Sequence, residues 1–284
     1  MDSKIGVIGA GVMGCGVAQT FAQAGYEVKL IDLDDKTLNK AKEKIIQDLR
    51  FQKLFSRDIH VESKESVIER ILFTTQYEAL RDCETVIENV TEKWDVKKQV
   101  YEKIDHLCDE HCVLGVNTSA ISITKIAALT QRPQKVIGMH FMNPVPLKPL
   151  VEVIRGYHTS HETLEYIKNL IGSINKECIV VNDSPGFITN RALMIFINEA
   201  IFSLQEQVAS AEEIDTLFKK CFGHKMGPLQ TADLIGLDTI LYSLDVLYES
   251  YNDTKYRPCT MLKKMVDAGL HGVKNGRGFY EYEK

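Results

Sequence analysis

A glycine turn near the start of the chain narrows its possible folds more than any other feature. It lies in "VIGAGVMGCGVAQTFAQAGYEVKLIDLD", from Val7 to Asp34. A GxGxxG match alone is weak, but here its context is right on both sides. An apolar strand from Ile5 to Ile8 enters the turn, a helical pattern closed by Gly25 leaves it, and Asp32 ends the next strand 18 residues beyond Gly14. That is a strand–turn–helix–strand unit built around a phosphate. Gly9 permits the tight turn, Gly11 lets backbone amides approach a pyrophosphate, and Gly14 lets the helix pack closely on the strand. Val12 and Met13 open the helix, whose N-terminus attracts the phosphate charge. Asp32 is placed to accept hydrogen bonds from ribose hydroxyls and to repel a 2′-phosphate, so the predicted cofactor is NAD rather than NADP.

The alternation continues beyond the turn. A charged helix is predicted from Asp35 to Phe55, with Leu38, Ala41, Ile45 and Leu49 at helical spacing. "ILFTT", "TVIENV", "CVLGVNT", "KVIGMHF" and "LVEVI" follow as strands, several of them separated by helical segments. Such alternation specifies a doubly wound, largely parallel sheet. After "VVNDSPGF" the pattern becomes helical in "ITNRALMIFINEAIFSLQEQ", "SAEEIDTLFKKCF", "LIGLDTILYSLDVLYESY" and "CTMLKKMVDAG", with a capping box at Ser210 and Glu213. The expected fold is α/β: a Rossmann-like NAD-binding domain over 1–184, then an all-α domain over 185–284 for dimerisation and substrate.

Composition excludes several other classes. A net charge of −5 gives no reason to expect nucleic acid, and no apolar run has the length of a membrane helix. The start "MDSKIGVIG" lacks the pattern of a cleaved leader, which predicts a cytoplasmic chain. Seven scattered cysteines do not make a disulfide framework. "HLCDEHC" (His106 to Cys112) lacks a second Cys/His pair at zinc-finger spacing and reads as a helix end running into a strand, so no metal is expected. One run is basic: Lys36, Lys40, Lys42, Lys44, Arg50, Lys53 and Arg57 outnumber Glu43 and Asp48. It is either a solvated helix face or a docking patch for an anionic ligand or acidic partner.

Parallel sheets bind ligands beyond the carboxyl ends of their strands, so polar residues that end strands carry the information. "VLGVNTSA" ends in Asn117, Thr118 and Ser119, and "KVIGMHFMNP" in His140 with Asn143 just after. Glu152 sits inside the apolar strand "LVEVI", where an unpaired carboxylate is costly. The loop "NPVPLKP" turns the chain back, which can bring Glu152 beside His140. A carboxylate next to an imidazole fixes its tautomer and orientation. That is how a general base is built to take a proton from an alcohol as hydride leaves.

With these residues in place, the sequence resembles the 3-hydroxyacyl-CoA dehydrogenase family along nearly its whole length. The resemblance is carried by "GAGVMGCGVAQ", "VIENVTEKWDVKKQVY", "NTSAISIT", "VIGMHFMNPVPLKPLVEVIRG", "DSPGFITNR", "MGPLQTADLIGLD" and "NGRGFYEY". It implies that His140 is the acid/base, that Glu152 is its partner, and that Ser119 and Asn190 hydrogen-bond the reacting oxygen. Glu92 and Lys97 match positions around the nicotinamide ribose, and Asn117 a cofactor-contacting position. Asn143 matches a position on the cofactor side that helps hold His140 or the substrate. The resemblance further implies a homodimer paired through the helical domain, an acyl thioester bound between the domains, and coenzyme A with its nucleotide end near the basic run.

The chain departs from the family pattern at several places. Ala120 and Val116 stand where serines are usual, "PLKPLVE" moves a lysine back to Lys148 and puts Pro149 in its place, and "GPLQT" brings Gln230 and Thr231. None of these is His140, Glu152, Ser119 or Asn190. The expected activity is therefore NAD-dependent interconversion of 3-hydroxyacyl and 3-oxoacyl thioesters. The alternative is a biosynthetic relative whose hydroxyacyl group is tethered to an acyl carrier protein, an acidic partner suited to the basic run. A non-enzymatic NADH-binding protein on the same fold gives no reason to keep a buried Glu152 opposite His140.

Overall fold

The computed structural model describes residues 3–55 and 63–282, with the side chains of 53–55 outside that description. The chain divides into two compact units, Met1–Asp183 and Ser184–Lys284. The first unit alternates strand and helix: β1 (Lys4–Ile8), α1 (Val12–Gln23), β2 (Glu27–Ile31), α2 (Asp35–Phe55), α3 (Lys64–Glu69) and β3 (Ile71–Thr74). It continues with β4 (Thr85–Glu88), α4 (Trp94–Leu107), β5 (Val113–Val116), α5 (Ile123–Ala127) and β6 (Val136–Phe141). β7 (Leu150–Arg155), α6 (His161–Ser173) and β8 (Glu177–Asn182) complete it.

The strands form one eight-stranded sheet in the order β3-β2-β1-β4-β5-β6-β7-β8. All neighbours are parallel except β6 and β7. The order reverses between β1 and β4, which makes the switch point where a doubly wound sheet opens a crevice for a dinucleotide. β4, β5 and β6 are buried along their whole lengths, as strands covered on both faces must be. β8 is different. It lies at the edge with mostly exposed residues, and its mixed pattern gave no strand signal in the sequence.

α2 has the bounds read from its periodicity, and Leu38, Ala41, Ile45 and Leu49 are all buried. Lys36, Lys40, Lys42, Lys44 and Arg50 are exposed on the other side of the helix. Arg57, the last cation of that run, lies outside the described residues, as does the side chain of Lys53. α1 is buried on almost every face. At Gly16 an added Cβ would come within 2.9 Å of Val145 Cβ, so this helix meets the β6–β7 loop through a side-chain-free contact.

The second unit is helical: α7 (Thr189–Gln205), α8 (Ala211–Phe222), α9 (Pro228–Ile235), α10 (Leu237–Tyr251) and α11 (Thr260–Asp267). Ser210 and Glu213 form the reciprocal capping box at the start of α8. "LIGLDTILYSLDVLYESY" is not one helix. Gly236, at φ +103°, separates α9 from α10 in a backbone conformation unsuited to continuing a helix. Two buried carboxylates bind the unit together. Asp215 accepts from the amides of Leu229 (2.8 Å) and Gln230 (2.9 Å), and Asp233 from those of Phe279 (3.0 Å) and Tyr280 (2.9 Å). No helix among the described residues is long and apolar enough to cross a membrane.

Candidate active site

The glycine turn sits at the carboxyl end of β1. Gly9 has φ +93°, and a Cβ there would lie 2.7 Å from the Asn89 carbonyl oxygen, so neither the conformation nor the space admits a side chain. A Cβ on Gly14 would sit 1.7 Å from the Gly9 carbonyl oxygen. At Gly11 the same atom would meet nothing within 4 Å, so the face of the turn is open there. Cys15 N–H bonds back to the Gly11 carbonyl at 2.9 Å. The amides before it, including those of Val12 and Met13, therefore have no partner within the helix and point out of its N-terminus. Asp32 closes the unit at the end of β2. Its two oxygens accept from the amides of Ala10 (2.6 Å) and Leu33 (2.7 Å), which fixes the carboxylate beside the turn. An open amide-lined turn with an anchored carboxylate fits a dinucleotide whose ribose is unphosphorylated.

The antiparallel return of β7 pairs His140 directly with Glu152. Both are nearly fully buried, and His140 Nδ1 lies 3.0 Å from Glu152 Oε2. Since the carboxylate accepts, Nδ1 carries the proton, and Nε2 of the neutral ring is left as the acceptor. Ser119 Oγ lies 3.1 Å from Nε2. One imidazole thus joins a buried carboxylate to a hydroxyl at the carboxyl ends of β5 and β6.

Ser119 is held by a carboxylate on the loop after β4. Glu92 Oε1 accepts a short hydrogen bond from Thr118 Oγ1 and further bonds from the amides of Ser119 (3.0 Å) and Ala120 (3.1 Å). Glu92 was expected at the nicotinamide ribose, and here it also shapes the loop that aims Ser119. Lys97, expected with Glu92 at the nicotinamide ribose, lies 3.6 Å from Glu92 Oε2. It is fully buried, and its ammonium donates to both oxygens of Glu88 (2.9 and 2.8 Å) and to the Asn117 carbonyl (3.2 Å). Fully buried, Lys97 acts here through Glu88, Glu92 and Asn117. Glu88 was not singled out in the sequence, although a carboxylate ending the apolar "TVIE" carries the same signal as Glu152. Burial pushes its carboxyl pKa up, against the opposing pull of Lys97.

Asn117 spends its side chain inside the protein. Its Nδ2 donates to Asn89 Oδ1 at 2.7 Å, and its Oδ1 accepts from the Phe141 amide at 3.3 Å, tying the ends of β4, β5 and β6. Asn143 is exposed on the bend after β6, before a cis bond to Pro144. Asn190 is half-buried at the second position of α7, in the other unit. The departures from the family pattern are absorbed locally. Ala120 keeps its amide on Glu92, Val116 is buried in β5, and the Pro149 carbonyl accepts from Glu177 N–H at 2.8 Å where β8 begins. Lys148 is exposed, while its carbonyl and that of Val145 hold the buried Lys176 ammonium (2.6 and 2.8 Å). In α9, the Gln230 amide bonds to Asp215 at 2.9 Å, and Thr231 Oγ1 bonds back to the Gly227 carbonyl at 2.7 Å.

A Ser–His–Glu chain is also the arrangement that activates a nucleophilic serine. That chemistry needs amide donors for an oxyanion. The Ser119 and Ala120 amides are instead occupied by the Glu92 carboxylate, whose charge would repel an oxyanion. The arrangement suits proton exchange with a bound oxygen. Among the described residues, no group of three or more His, Cys, Asp or Glu could hold a metal ion. A cavity of about 530 Å³ lined by Asp82, Glu84, Val113 and Lys135 lies at the opposite, N-terminal ends of the strands and takes no part in this site.

Comparison with known proteins gives one family along the chain. Residues 4–184 match the 3-hydroxyacyl-CoA dehydrogenase NAD binding domain, and residues 186–282 the 3-hydroxyacyl-CoA dehydrogenase C-terminal domain. The chain is 45% identical to a probable 3-hydroxybutyryl-CoA dehydrogenase of Bacillus subtilis over 285 residues, covering 99% of this chain and 98% of that protein. It is 35% identical to the mitochondrial hydroxyacyl-coenzyme A dehydrogenase of Homo sapiens over 283 residues, covering 98% of this chain and 90% of that protein. It superposes on the crystal structure of (S)-3-hydroxybutyryl-CoA dehydrogenase PaaH1 from Ralstonia eutropha with a TM-score of 0.93 and 42% identity, covering 100% of both chains.

Proposed function

The chain belongs to the 3-hydroxyacyl-CoA dehydrogenase family, and on that premise we propose that it interconverts 3-hydroxyacyl and 3-oxoacyl thioesters of coenzyme A, with His140 as the acid/base. It is an NAD-dependent oxidoreductase. The observation that carries the assignment of His140 is its position between Glu152 (3.0 Å) and Ser119 (3.1 Å), at strand ends in the sheet that presents the glycine turn. The Bacillus subtilis and Ralstonia eutropha relatives carry 3-hydroxybutyryl-CoA in their names, which favours a short acyl chain on coenzyme A over one on a carrier protein.

Bound NAD supplies the hydride acceptor in the oxidising direction and, reduced, the hydride donor in the other. Gly9, Gly11, Val12, Met13 and Gly14 would hold its pyrophosphate and Asp32 its ribose, while Glu92, Asn117 and Asn143 would border its reactive end. His140 Nε2 takes the proton from the substrate hydroxyl on oxidation and returns it to the oxygen on reduction. Glu152 keeps Nδ1 protonated and the ring aimed, and stabilises the imidazolium that forms. Ser119 donates to the same oxygen as charge develops on it, an effect worth about 3 kcal/mol for a well-placed donor. Exposed apolar side chains of the second unit, among them Leu217, Phe222 and Leu234, support a homodimer. The absence of a membrane-crossing helix among the described residues is compatible with a cytoplasmic location.

The test compares kcat/KM for acetoacetyl-CoA and for the acetoacetyl carrier-protein thioester, with NADH and with NADPH. The expected result is turnover of the coenzyme A thioester with NADH preferred. Turnover confined to the carrier-protein thioester would overturn the substrate assignment, and a preference for NADPH the role of Asp32.

A further inference from the structure

The loop that carries Ser119 is held by carboxylates at both ends. Glu92 holds its beginning through Thr118, Ser119 and Ala120. Its end is held by Asp183, just past β8. Asp183 Oδ2 accepts from Ser122 Oγ and from Thr124 N–H, both at 2.7 Å. Ser122 is also the N-cap of α5, accepting from Lys125 N–H at 3.2 Å, and Thr124 Oγ1 accepts from Tyr157 N–H at 3.0 Å, just past β7. The helix start fixed in this way seats Ile123 over β6. Ile123 is fully buried, and a Cβ on Gly138 would come within 2.8 Å of its Cδ1, two positions before His140. One carboxylate therefore fixes both the end of the Ser119 loop and the residue packed on the His140 strand.

A second observation sets Asp183 apart from an ordinary helix cap. Its other oxygen, Oδ1, is buried and has no hydrogen-bond partner among the described residues. An unpaired buried acceptor is a cost to the fold, and local costs of that kind collect at functional sites.

We infer that Asp183 is a positioning residue for the reaction, setting Ser119 against His140 through Ser122 and α5. The inference rests on the reading of Ser119 as a donor to the reacting oxygen. A small displacement of such a donor costs rate without weakening cofactor binding. Misplacement by about 1 Å lowers rate by up to about a hundredfold.

A double-mutant cycle tests the inference, with kcat and KM measured for acetoacetyl-CoA and NADH in Asp183→Ala, Ser119→Ala and the double variant. Asp183→Ala is expected to lower kcat about ten- to a hundredfold, with KM for NADH little changed. Asp183→Asn, whose amide oxygen can accept both bonds, recovers most of the loss. In the Ser119→Ala background Asp183→Ala adds nothing, because residues acting through one contact are not additive. An undiminished loss in that background, or wild-type kcat in Asp183→Ala, overturns the inference alone. Wild-type kcat in Ser119→Ala overturns the reading of Ser119 and the inference with it. If Asp183→Ala does not fold, Ser122→Ala takes its place in the cycle, since it removes one of the two donors and keeps the carboxylate.

Discussion

Lys97 and Glu88 form a fully buried ion pair, 2.8 Å at its closest, beneath the loop that carries Ser119. Breaking such a pair is worse than never having had it, because a lone charge is left in a low-dielectric interior. Lys97→Met leaves Glu88 in that state. The pKa of its carboxyl, already pushed up by burial, then rises further above the unfolded value. Between those two pKa values the folded chain holds more protons than the unfolded one, so stability falls as pH rises through the window. The variant is expected to lose about 3–5 kcal/mol by urea denaturation near pH 8 and less near pH 5. Equal losses at both would mean that the ammonium matters for packing rather than for charge. At this scale the sequence was partly legible. His140 and Glu152 could be read because a carboxylate inside an apolar strand demands a partner and the following loop supplied the direction. The bonds of Glu92 to the loop after β5 and the two bonds that Asp183 makes to the start of α5 could not. They join residues far apart in the chain, and no local pattern encodes them.

The elements divide between those set by periodicity and those set by a single residue. α2, 21 residues long, was readable because Leu38, Ala41, Ile45 and Leu49 repeat at helical spacing and are buried. The break between α9 and α10 was not, because "LIGLD" continues an apolar pattern and only the positive φ of Gly236 interrupts it. β8 was missed because an exposed edge strand carries no burial pattern. The turn between β1 and α1 is likewise set by single residues, but its glycines announce themselves. Its two flanking glycines differ in kind from the middle one. Gly14→Ala drives a Cβ into the Gly9 carbonyl oxygen, 1.7 Å away, and is expected to cost at least about a tenfold loss of NADH affinity together with a lower melting temperature. Gly11→Ala meets open space and is expected to melt as wild type, losing affinity only through its closer approach to a pyrophosphate. Calorimetric titration and thermal melts distinguish them. A Gly14→Ala variant that binds and melts as wild type would mean the turn is not closed as described.

At the scale of the molecule, the parallel order of the sheet gathers the ends of β1, β2, β4, β5 and β6 on one side. The glycine turn, Asp32, Glu88, Asn117, Ser119 and His140 therefore lie along one edge although they are scattered through the sequence. β7, the first of two strands that run opposite to the rest, supplies what its parallel neighbours cannot, a carboxylate arriving from the other direction in register with His140. The fold class and the pairing of His140 with Glu152 at this edge were legible because they follow from alternation and from polar residues in and at the ends of strands. The account stands on His140 exchanging a proton with the substrate oxygen. Steady-state NADH oxidation with acetoacetyl-CoA by wild type and His140→Ala tests that directly. The account predicts that kcat falls by about 10²–10⁴ in the variant, with NADH binding retained; a variant that turns over as fast as wild type would contradict it.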